Sequence, residues 1–250
     1  MAVERIKFLD LFLDILRPED IDETIMRLLD EPGDGPRQIM LVSLWDILRA
    51  RRNSEFRAML ESAALVLPTS KSLIGGAQFL HKKTPVRYEP FPFIIAVMGT
   101  LEKYLKTVYF FGSRNLSLQK AEKNIRSTFP SLRIVGRIPG FYPRSMEKNI
   151  KTAIAKAEPS LVLVGSGIPG KQNWIYRNRS RLPKGIFLWD ASILDIFAER
   201  KKRPSPALFQ AGLEYLPQIL KNPLRIFRIF PYLWYKILLA FYRLRKNKEA

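Results

Sequence analysis

The regular alternation between residues 107 and 189 constrains the fold most. Short apolar runs alternate there with longer stretches of helical periodicity. Strands that alternate with helices of ten or more residues are typical of a parallel sheet with helices on both faces. The predicted strands are 107–111, 132–135, 161–164 and 185–189, and the predicted helices are 118–129, 145–157 and 171–181.

The remaining segments extend this pattern. Residues 38–44 form one more apolar run, short enough for a buried parallel strand. Residues 7–16 fit a short helix or a strand, whereas 45–65 predict one long helix. The expected fold is α/β, a doubly wound, mainly parallel, Rossmann-like sheet. Ligands of such sheets bind at the carboxyl ends of the strands. The loops expected to meet there contain Ser43, Gly112 and Ser113, residues 136–142, residues 165–170, and Asp190.

One of these loops has the composition of an anion site. Residues 165–170 read GSGIPG, and Lys171 and Arg177 follow with no acidic residue between them. A glycine-rich turn between a strand and a helix lets backbone amides approach a phosphate. The spacing matches neither GxGxxG nor GxxxxGK[ST], so an ordinary basic turn remains the alternative.

Composition narrows the chemistry. The 250 residues carry a net charge of +19, although residues 1–34 hold ten acidic and only four basic residues. Such a surplus favours anionic partners: nucleic acid, lipid headgroups or a diphosphate. The chain has no cysteine, and His81 is its one histidine. Disulfides and thiolate catalysis are therefore excluded, and a histidine-based triad or metal site is not expected.

The C-terminal part differs from the rest. A basic, proline-rich joint at 201–206 precedes helices predicted at 207–220 and 224–244, which suggests a sheet domain at 1–203 and an appendage at 204–250. Residues 221–250 contain eight basic residues and one acidic residue, with aromatic residues at helical spacing. This pattern is typical of a helix lying on an anionic membrane surface, here through residues 224–245; the alternative is a helix docked on its own core.

Neither a secretory signal nor an apolar run of eighteen residues is visible, so we expect a cytoplasmic protein. Charge alone also allows nucleic-acid binding. No zinc-ligand spacing, aromatic RNA-binding pattern or helix-turn-helix supports it, and no nucleic-acid partner is expected.

Several motifs in a fixed order resemble the WecG/TagA/CpsF glycosyltransferases, glycosyltransferase family 26. The resemblance covers about residues 38–230. The motifs are Arg87 in a short loop; VYFFG at 108–112; Phe129-Pro130, Ile134-Val135-Gly136 and Gly140-Phe141-Tyr142; VGSGIPGKQNWI at 164–175; Arg203; Gly212-Leu213-Glu214-Tyr215; and Asn222-Pro223-Leu224-Arg225 with Arg228.

The resemblance implies an activity. Family members move a sugar, often N-acetylmannosamine, from a UDP donor to a polyprenyl-diphosphate-linked sugar in cell-surface polysaccharide synthesis. They are peripheral proteins on the inner face of the cytoplasmic membrane, and a basic C-terminal appendage helps to close the active site. No cofactor or metal is implied.

The resemblance also assigns roles to residues. Gln172 falls on the family's donor-orienting glutamine, although the glutamate that follows it in the family is Asn173 here. The cleft walls would come from Gly112, Tyr142 and Gly167, with Pro169 in the same turn as Gly167. Family positions that bind substrate or phosphate are occupied by Ser43, Arg87, Arg203, Arg225 and Arg228.

The largest departure is at Thr69. The family has an aspartate at this position, its proposed general base, and a threonine hydroxyl cannot accept a proton at neutral pH. Glu89 is the candidate substitute, and Asp46 and Asp190 are further candidates at predicted strand ends. Two hypotheses follow: a divergent glycosyltransferase, or a degenerate member that binds nucleotide sugar, lipid diphosphate or a protein without transfer.

Overall fold

A computed structural model of the chain describes residues 3–33, 35–213, 216, 219, 222, 224, 227 and 229–249. Within these residues, an antiparallel hairpin and a six-stranded sheet contain all the strands. The strands are β1 (Glu4–Phe8), β2 (Leu11–Ile15), β3 (Pro36–Val42), β4 (Leu65–Pro68), β5 (Thr107–Phe111), β6 (Arg133–Ile138), β7 (Leu161–Val164) and β8 (Gly185–Trp189).

The described residues form eleven α-helices. They are α1 (Ile21–Asp30), α2 (Leu44–Ala50), α3 (Ser54–Glu61), α4 (Lys71–Phe79), α5 (Pro90–Lys103), α6 (Asn115–Thr128), α7 (Glu147–Ala157), α8 (Asn173–Arg177), α9 (Ile193–Phe197), α10 (Pro206–Ala211) and α11 (Ile229–Glu249). Helices α2 to α8 connect strands of the larger sheet, α1 precedes β3, and α9 to α11 follow β8.

The larger sheet has the order β4-β3-β8-β7-β5-β6, and every neighbouring pair is parallel. The predicted α/β, Rossmann-like class is therefore confirmed. Because all six strands run the same way, their carboxyl ends lie along one edge, and the loops that leave them are neighbours there. β8 lies between β3 and β7, so the loop after Trp189 leaves from the middle of this edge.

Alternation along each strand divides the core between the two faces of the sheet. On β7, Leu161 and Leu163 pack into one cluster, whereas Val162 and Val164 pack into another. The first face is covered by α1, α5, α6 and α9. The second face is covered by α2, α3, α4, α7 and α8, together with the hairpin and α11. The acidic α1 and the basic α11 consequently lie on opposite faces.

The prediction of one helix over residues 45–65 was wrong. The chain forms α2, turns, and starts α3 at Asn53, whose side chain accepts a hydrogen bond from the Phe56 amide at 2.7 Å. Residues 65–68 then form the edge strand β4, in which every residue is buried. Four consecutive apolar residues suit a buried helix end and a buried strand equally well, so periodicity alone did not separate them.

Residues 7–16 resolve into strands rather than a helix. The turn of the hairpin is made by Leu9 and Asp10, both with positive φ. On β2, Asp14 is 2% exposed; it receives Nε of Arg5 at 2.6 Å and the Val66 amide at 2.7 Å. The hairpin is thereby attached to β4, the edge strand of the larger sheet.

The predicted helix at 171–181 is much shorter in the structure. Lys171 has φ +56°, a backbone conformation that a right-handed helix excludes, and α8 spans only Asn173–Arg177. The first part of the helix predicted at 207–220 is observed as α10, which is followed by Gly212 in the left-handed conformation. Residues 214, 215, 217, 218 and 220 of that prediction lie outside the described residues. The division into a sheet domain and an appendage stays a prediction.

Helix α11 docks through a narrow stripe. Tyr235 is fully buried, and its hydroxyl donates to the Ser72 carbonyl on α4 at 2.7 Å. A Cβ on Gly76 would lie 2.0 Å from that hydroxyl, so only glycine allows this approach. No helix among the described residues combines the length and the apolar character needed to cross a membrane.

Adjacent glycines on α4 give a matched test of this contact. Gly76→Ala should destabilise the protein by about 1–3 kcal/mol, because Tyr235 must move away. Gly75→Ala should be neutral or stabilising by up to about 1 kcal/mol, because nothing lies within 4 Å of its Cβ position and alanine favours helix. Denaturant titration measures both; equal effects of the two variants would contradict the packing described.

Candidate functional site

Three loops are joined at the carboxyl edge by backbone hydrogen bonds. The Ser113 amide, after β5, donates to the Ser166 carbonyl, after β7, at 2.7 Å. The Gly140 amide, after β6, donates to the Ser113 carbonyl at 2.8 Å. The Phe141 amide donates to the Gly167 carbonyl at 2.8 Å. The loops after β5, β6 and β7 therefore form one rigid unit.

Glycine is needed where these loops meet. Gly112 has φ +127°, and a Cβ there would lie 2.8 Å from the backbone of Gly165. Gly167 has φ +83°, and a Cβ would lie 2.5 Å from the ring of Phe141. The two predicted wall residues are thus brought together, and any side chain at either position would separate the loops.

A buried carboxylate holds the same unit from below. Asp195 on α9 is 1% exposed and accepts hydrogen bonds from the Ser113 hydroxyl at 2.5 Å and the Ser166 hydroxyl at 3.4 Å. Arg200 binds it with two nitrogens, at 2.8 and 3.1 Å. Burial alone would raise the pKa of Asp195, but the hydrogen bonds from Arg200 and Ser113 outweigh burial and lower it. The charge is therefore retained at neutral pH.

Asp195 was missed at the sequence level. The sequence signal that could have found it is a single acidic residue within the apolar stretch ILDIF. A carboxylate in such a stretch is expected to be buried and then needs hydrogen-bond partners inside the fold. The alternation of strands and helices and the composition of the loops do not reveal which side chains bind Asp195.

Aromatic side chains form one wall of the edge. Phe111, the last residue of β5, lies 5.0 Å from Trp174 and 5.8 Å from Tyr142 between ring centroids. Trp174 donates its Nε1 to Glu147 at 3.1 Å. Burial raises the pKa of Tyr142 to about 12, so its hydroxyl stays protonated at neutral pH. Tyr142 thus lies beside the glycine-rich loops, as the sequence predicted.

At β3 and β4, a second group of predicted residues meets. The Thr69 hydroxyl donates to the Val42 carbonyl at 3.1 Å, and Arg87 Nε donates to the Thr69 carbonyl at 2.8 Å. Arg87 also donates to the Phe209 carbonyl at 2.5 Å, and its guanidinium lies 3.6 Å from the centre of the Phe209 ring. Helix α10 is consequently fixed over the end of β4.

The candidate acids at this edge differ in their surroundings. Asp46 accepts from the Ser43 amide and hydroxyl at 2.8 and 2.7 Å, which caps α2. Glu89 forms an ion pair with Arg203 at 3.3 Å. Asp46 is therefore paired with Ser43, and Glu89 is paired with Arg203.

Asp190 follows β8 at the middle of the edge. Its Oδ1 accepts from the amides of Ser192 and Ile193 at 2.7 and 2.8 Å. Burial raises the pKa of Asp190, and those two hydrogen bonds together with the nearby charge of Lys201 offset it only in part. Among the described residues, no lysine or arginine forms an ion pair with it. A carboxylate of raised pKa is better matched to proton transfer near neutral pH than one held by a cation.

Gln172 immediately precedes α8, after the glycine-rich turn at 165–170. Its carbonyl accepts from Gln38 Nε2 at 3.2 Å, and its side chain is half-buried. Asn173 is 2% exposed and donates to Glu55 at 3.2 Å, so the polar position after Gln172 is turned inward. Pro169 is exposed in the turn itself.

The two predicted groups thus occupy the two ends of one edge, with Asp190 between them. Arg225 and Arg228 lie outside the described residues. Among the residues that the structure covers, no three histidine, aspartate or glutamate side chains are grouped as metal ligands.

Comparison with known proteins gives one family. A model of the Glycosyl transferase WecG/TagA/CpsF family matches residues 6–250. A Bacillus spizizenii protein named N-acetylglucosaminyldiphosphoundecaprenol N-acetyl-beta-D-mannosaminyltransferase is 23% identical over 176 residues, which are 70% of this chain and 68% of that protein. Proteins of the same name from Bacillus subtilis strain 168 and Staphylococcus aureus MW2 are 22% and 24% identical, over 70% and 56% of this chain and 68% and 56% of their own lengths.

Asp195→Asn tests the role of the buried carboxylate. At neutral pH the variant should lose about 2 kcal/mol of unfolding free energy, because charged hydrogen bonds become neutral. Since the folded pKa of Asp195 is lowered, its contribution is present above the ordinary pKa of about 4 and is lost as pH falls through the folded value. The difference between wild type and variant should therefore shrink in acid.

Hydrogen exchange separates this role from general stability. Amides at 112–114, 140–141 and 165–167 should exchange faster in Asp195→Asn. The control is Asp22→Asn on α1, which removes a carboxylate whose pKa is lowered chiefly by a hydrogen bond from Lys103 on α5 and whose hydrogen-bond partners lie on α5, not in these loops. It should leave those amides unchanged. Equal exchange in both variants would refute a role for Asp195 in joining the loops.

Proposed function

Because the chain belongs to the WecG/TagA/CpsF glycosyl transferase family, we propose that it moves an N-acetylmannosamine-type sugar from a UDP donor to a polyprenyl-diphosphate-linked sugar. The names of its relatives describe N-acetyl-mannosaminyl transfer to N-acetylglucosaminyldiphosphoundecaprenol. The observation that carries the proposal is the joined, glycine-rich edge formed by the loops after β5, β6 and β7, beside Asp190.

The donor occupies the β5–β7 end of this edge. Gly112 and Gly167 let the loops after β5, β6 and β7 lie against one another, and the amides of these loops and Lys171 supply positive potential for a diphosphate. Tyr142 gives an aromatic wall for the nucleoside, with Pro169 at the rim of the turn. Gln172 orients the sugar from the half-buried start of the next segment.

The acceptor enters from the β3–β4 end. Its hydroxyl oxygen attacks the anomeric carbon of the donor sugar, the bond from that carbon to the UDP oxygen breaks, and UDP leaves with the bonding electron pair. Arg87 stands beside this path, and Arg225 and Arg228 of the C-terminal part hold phosphates. Arginine suits this task because its fork donates two hydrogen bonds to one phosphate.

Asp190 takes the proton of the attacking hydroxyl in this proposal. Thr69 cannot do so, and its hydroxyl already donates to Val42. Glu89 is compensated by Arg203. Asp190 combines a raised pKa with a central position on the edge, between the donor and acceptor ends.

The second candidate is a non-catalytic family member that binds a UDP-sugar or a lipid diphosphate. The observation that favours it is the pairing of Thr69, Glu89 and Asp46 with neighbouring groups of the chain itself. It requires UDP binding by calorimetry together with no transfer to a lipid-linked acceptor.

Two isosteric variants identify the base. With UDP-N-acetylmannosamine and N-acetylglucosaminyl-diphosphoryl-polyprenol, Asp190→Asn should lower kcat by about 10²–10⁴-fold, because the proton acceptor is lost. Asparagine keeps an oxygen for the amides of Ser192 and Ile193, so the loop is preserved. Wild-type activity should rise with pH through the raised pKa of Asp190. Glu89→Gln should stay within about tenfold of wild type; the reverse ranking would assign the base to Glu89.

We also place the protein on the inner face of the cytoplasmic membrane, bound through residues 224–245. On α11 the side chains of Phe230, Trp234, Ile237 and Phe241 are between 47% and 63% exposed, although they are large and apolar. Lys236 and Arg243 lie on the same helix, beside this apolar face, and contact the rings of Tyr232 and Phe79 at 5.5 and 4.7 Å. Exposed apolar side chains flanked by bases suit a helix lying in an anionic headgroup layer.

Vesicle binding tests this surface. A Phe230→Ser, Trp234→Ser, Ile237→Ser variant should bind vesicles containing phosphatidylglycerol at least about tenfold more weakly, because three large side chains no longer enter the bilayer. Wild-type binding should weaken with salt and in zwitterionic vesicles. The matched control is Leu116→Ser, which removes an exposed apolar residue from α6. Equal binding of the triple variant and wild type would refute the membrane surface.

A further inference from the structure

Gly75 is a helix residue that packing does not explain. It lies inside α4 and is exposed, and a Cβ there would meet no atom within 4 Å. Glycine inside a helix is disfavoured relative to alanine. Its neighbour Gly76 is explained by the approach of Tyr235, whereas Gly75 only keeps space open.

The space above Gly75 is a groove between α4, α10 and α11. It encloses about 390 Å³, within the range of small-molecule binding sites. Its lining combines apolar side chains with two ammonium groups, and the residues used here are Lys71, Gly75, Phe79, Tyr232, Lys236 and Leu239. An apolar floor between two cations fits a molecule with a hydrocarbon chain and a phosphate.

The ends of the groove identify its occupant. At one end, Lys71 follows Thr69 and Ser70 directly, and its Nζ donates to the Ala211 carbonyl at 3.5 Å. This end therefore joins the acceptor side of the carboxyl edge. At the other end, the groove is lined by Lys236 and Leu239 of α11. This helix also carries the exposed apolar side chains described above. The groove thus connects the candidate site with the surface proposed to contact lipid.

We propose that this groove binds the lipid of the acceptor. The isoprene units nearest the diphosphate lie over Gly75, and the ammonium group of Lys71 faces the phosphates. Lys236 lies at the other end of the groove, where the hydrocarbon continues toward α11. The inference rests on the proposed function and adds the part of the protein that recognises the hydrocarbon chain of the acceptor lipid. A bulk phospholipid is the less suitable occupant, because one end of the groove is formed by Lys71, which bonds the end of α10, the same helix that Arg87 binds through Phe209.

Filling the groove tests the proposal. Gly75→Leu places an apolar side chain in the open space and keeps a good helix former, so the fold is retained. The KM for a long-chain polyprenyl acceptor should rise about tenfold or more, because isoprene contacts are displaced. The KM for an acceptor with the same sugar diphosphate on a methyl group, which has no isoprene unit, should not change. Equal effects on both acceptors, or none, would overturn the proposal.

Gly99→Leu is the matched control. Gly99 also lies inside a helix, α5, with no atom within 4 Å of its Cβ position. It should leave both KM values unchanged. A loss equal to that of Gly75→Leu would show that a leucine in an open helix position perturbs the enzyme generally, and would count against the groove.

A binding measurement tests lipid binding in the groove independently of transferase activity. A polyprenyl diphosphate with a diazirine on its first isoprene units should label α4 or α11 of the full-length wild type and not of Gly75→Leu. Unlabelled polyprenyl diphosphate should compete, and phosphatidylglycerol should not. Label absent from both helices, or competed equally by phosphatidylglycerol, overturns the proposal. Absence of turnover with retained, specific labelling would reject the transferase function and leave the groove in place.

Discussion

The candidate site depends on one buried charge. Asp195 lies under the loops after β5 and β7 and accepts a hydrogen bond from a serine hydroxyl of each loop. The ion pair with Arg200 keeps it ionised. An unpaired carboxylate at 1% exposure would be strongly destabilising, so these partners are obligatory. Fixing Ser113 and Ser166 in turn fixes Gly140 and Phe141 through backbone hydrogen bonds. One carboxylate thereby positions three strand ends that are far apart in sequence.

The other end of the edge is organised by stacking. Arg87 joins the Thr69 carbonyl to α10, and its guanidinium lies on the ring of Phe209. Arg203 lies over Phe91 in a similar way, 4.9 Å from the ring centre, while it pairs with Glu89. The segment after the sheet is therefore held by planar cations on aromatic rings. The β5–β7 end of the edge is joined by backbone hydrogen bonds, whereas the β3–β4 end is held through side chains.

Much of this arrangement was accessible from the sequence. The strands at β5, β7 and β8, the fold class and the family were predicted correctly, because buried parallel strands and fixed glycines leave local signals. The long helix at 45–65 was not, since helix and buried strand share an apolar pattern over four residues. The pairing of Arg203 with Glu89, 114 positions apart, has no local signal at all. The site roles of Thr69, Glu89 and Gln172 stay predictions.

The separation of charge across the sheet has a consequence for encounter. Acidic side chains of α1 and basic side chains of α11 lie on opposite faces, so these two helices together contribute a dipole roughly normal to the sheet. Near a negatively charged surface this dipole exerts a torque that turns α11 toward the surface before any contact forms, within about a Debye length. The chain would then arrive with α11 foremost, and approach through α1 would be less favourable than approach through α11.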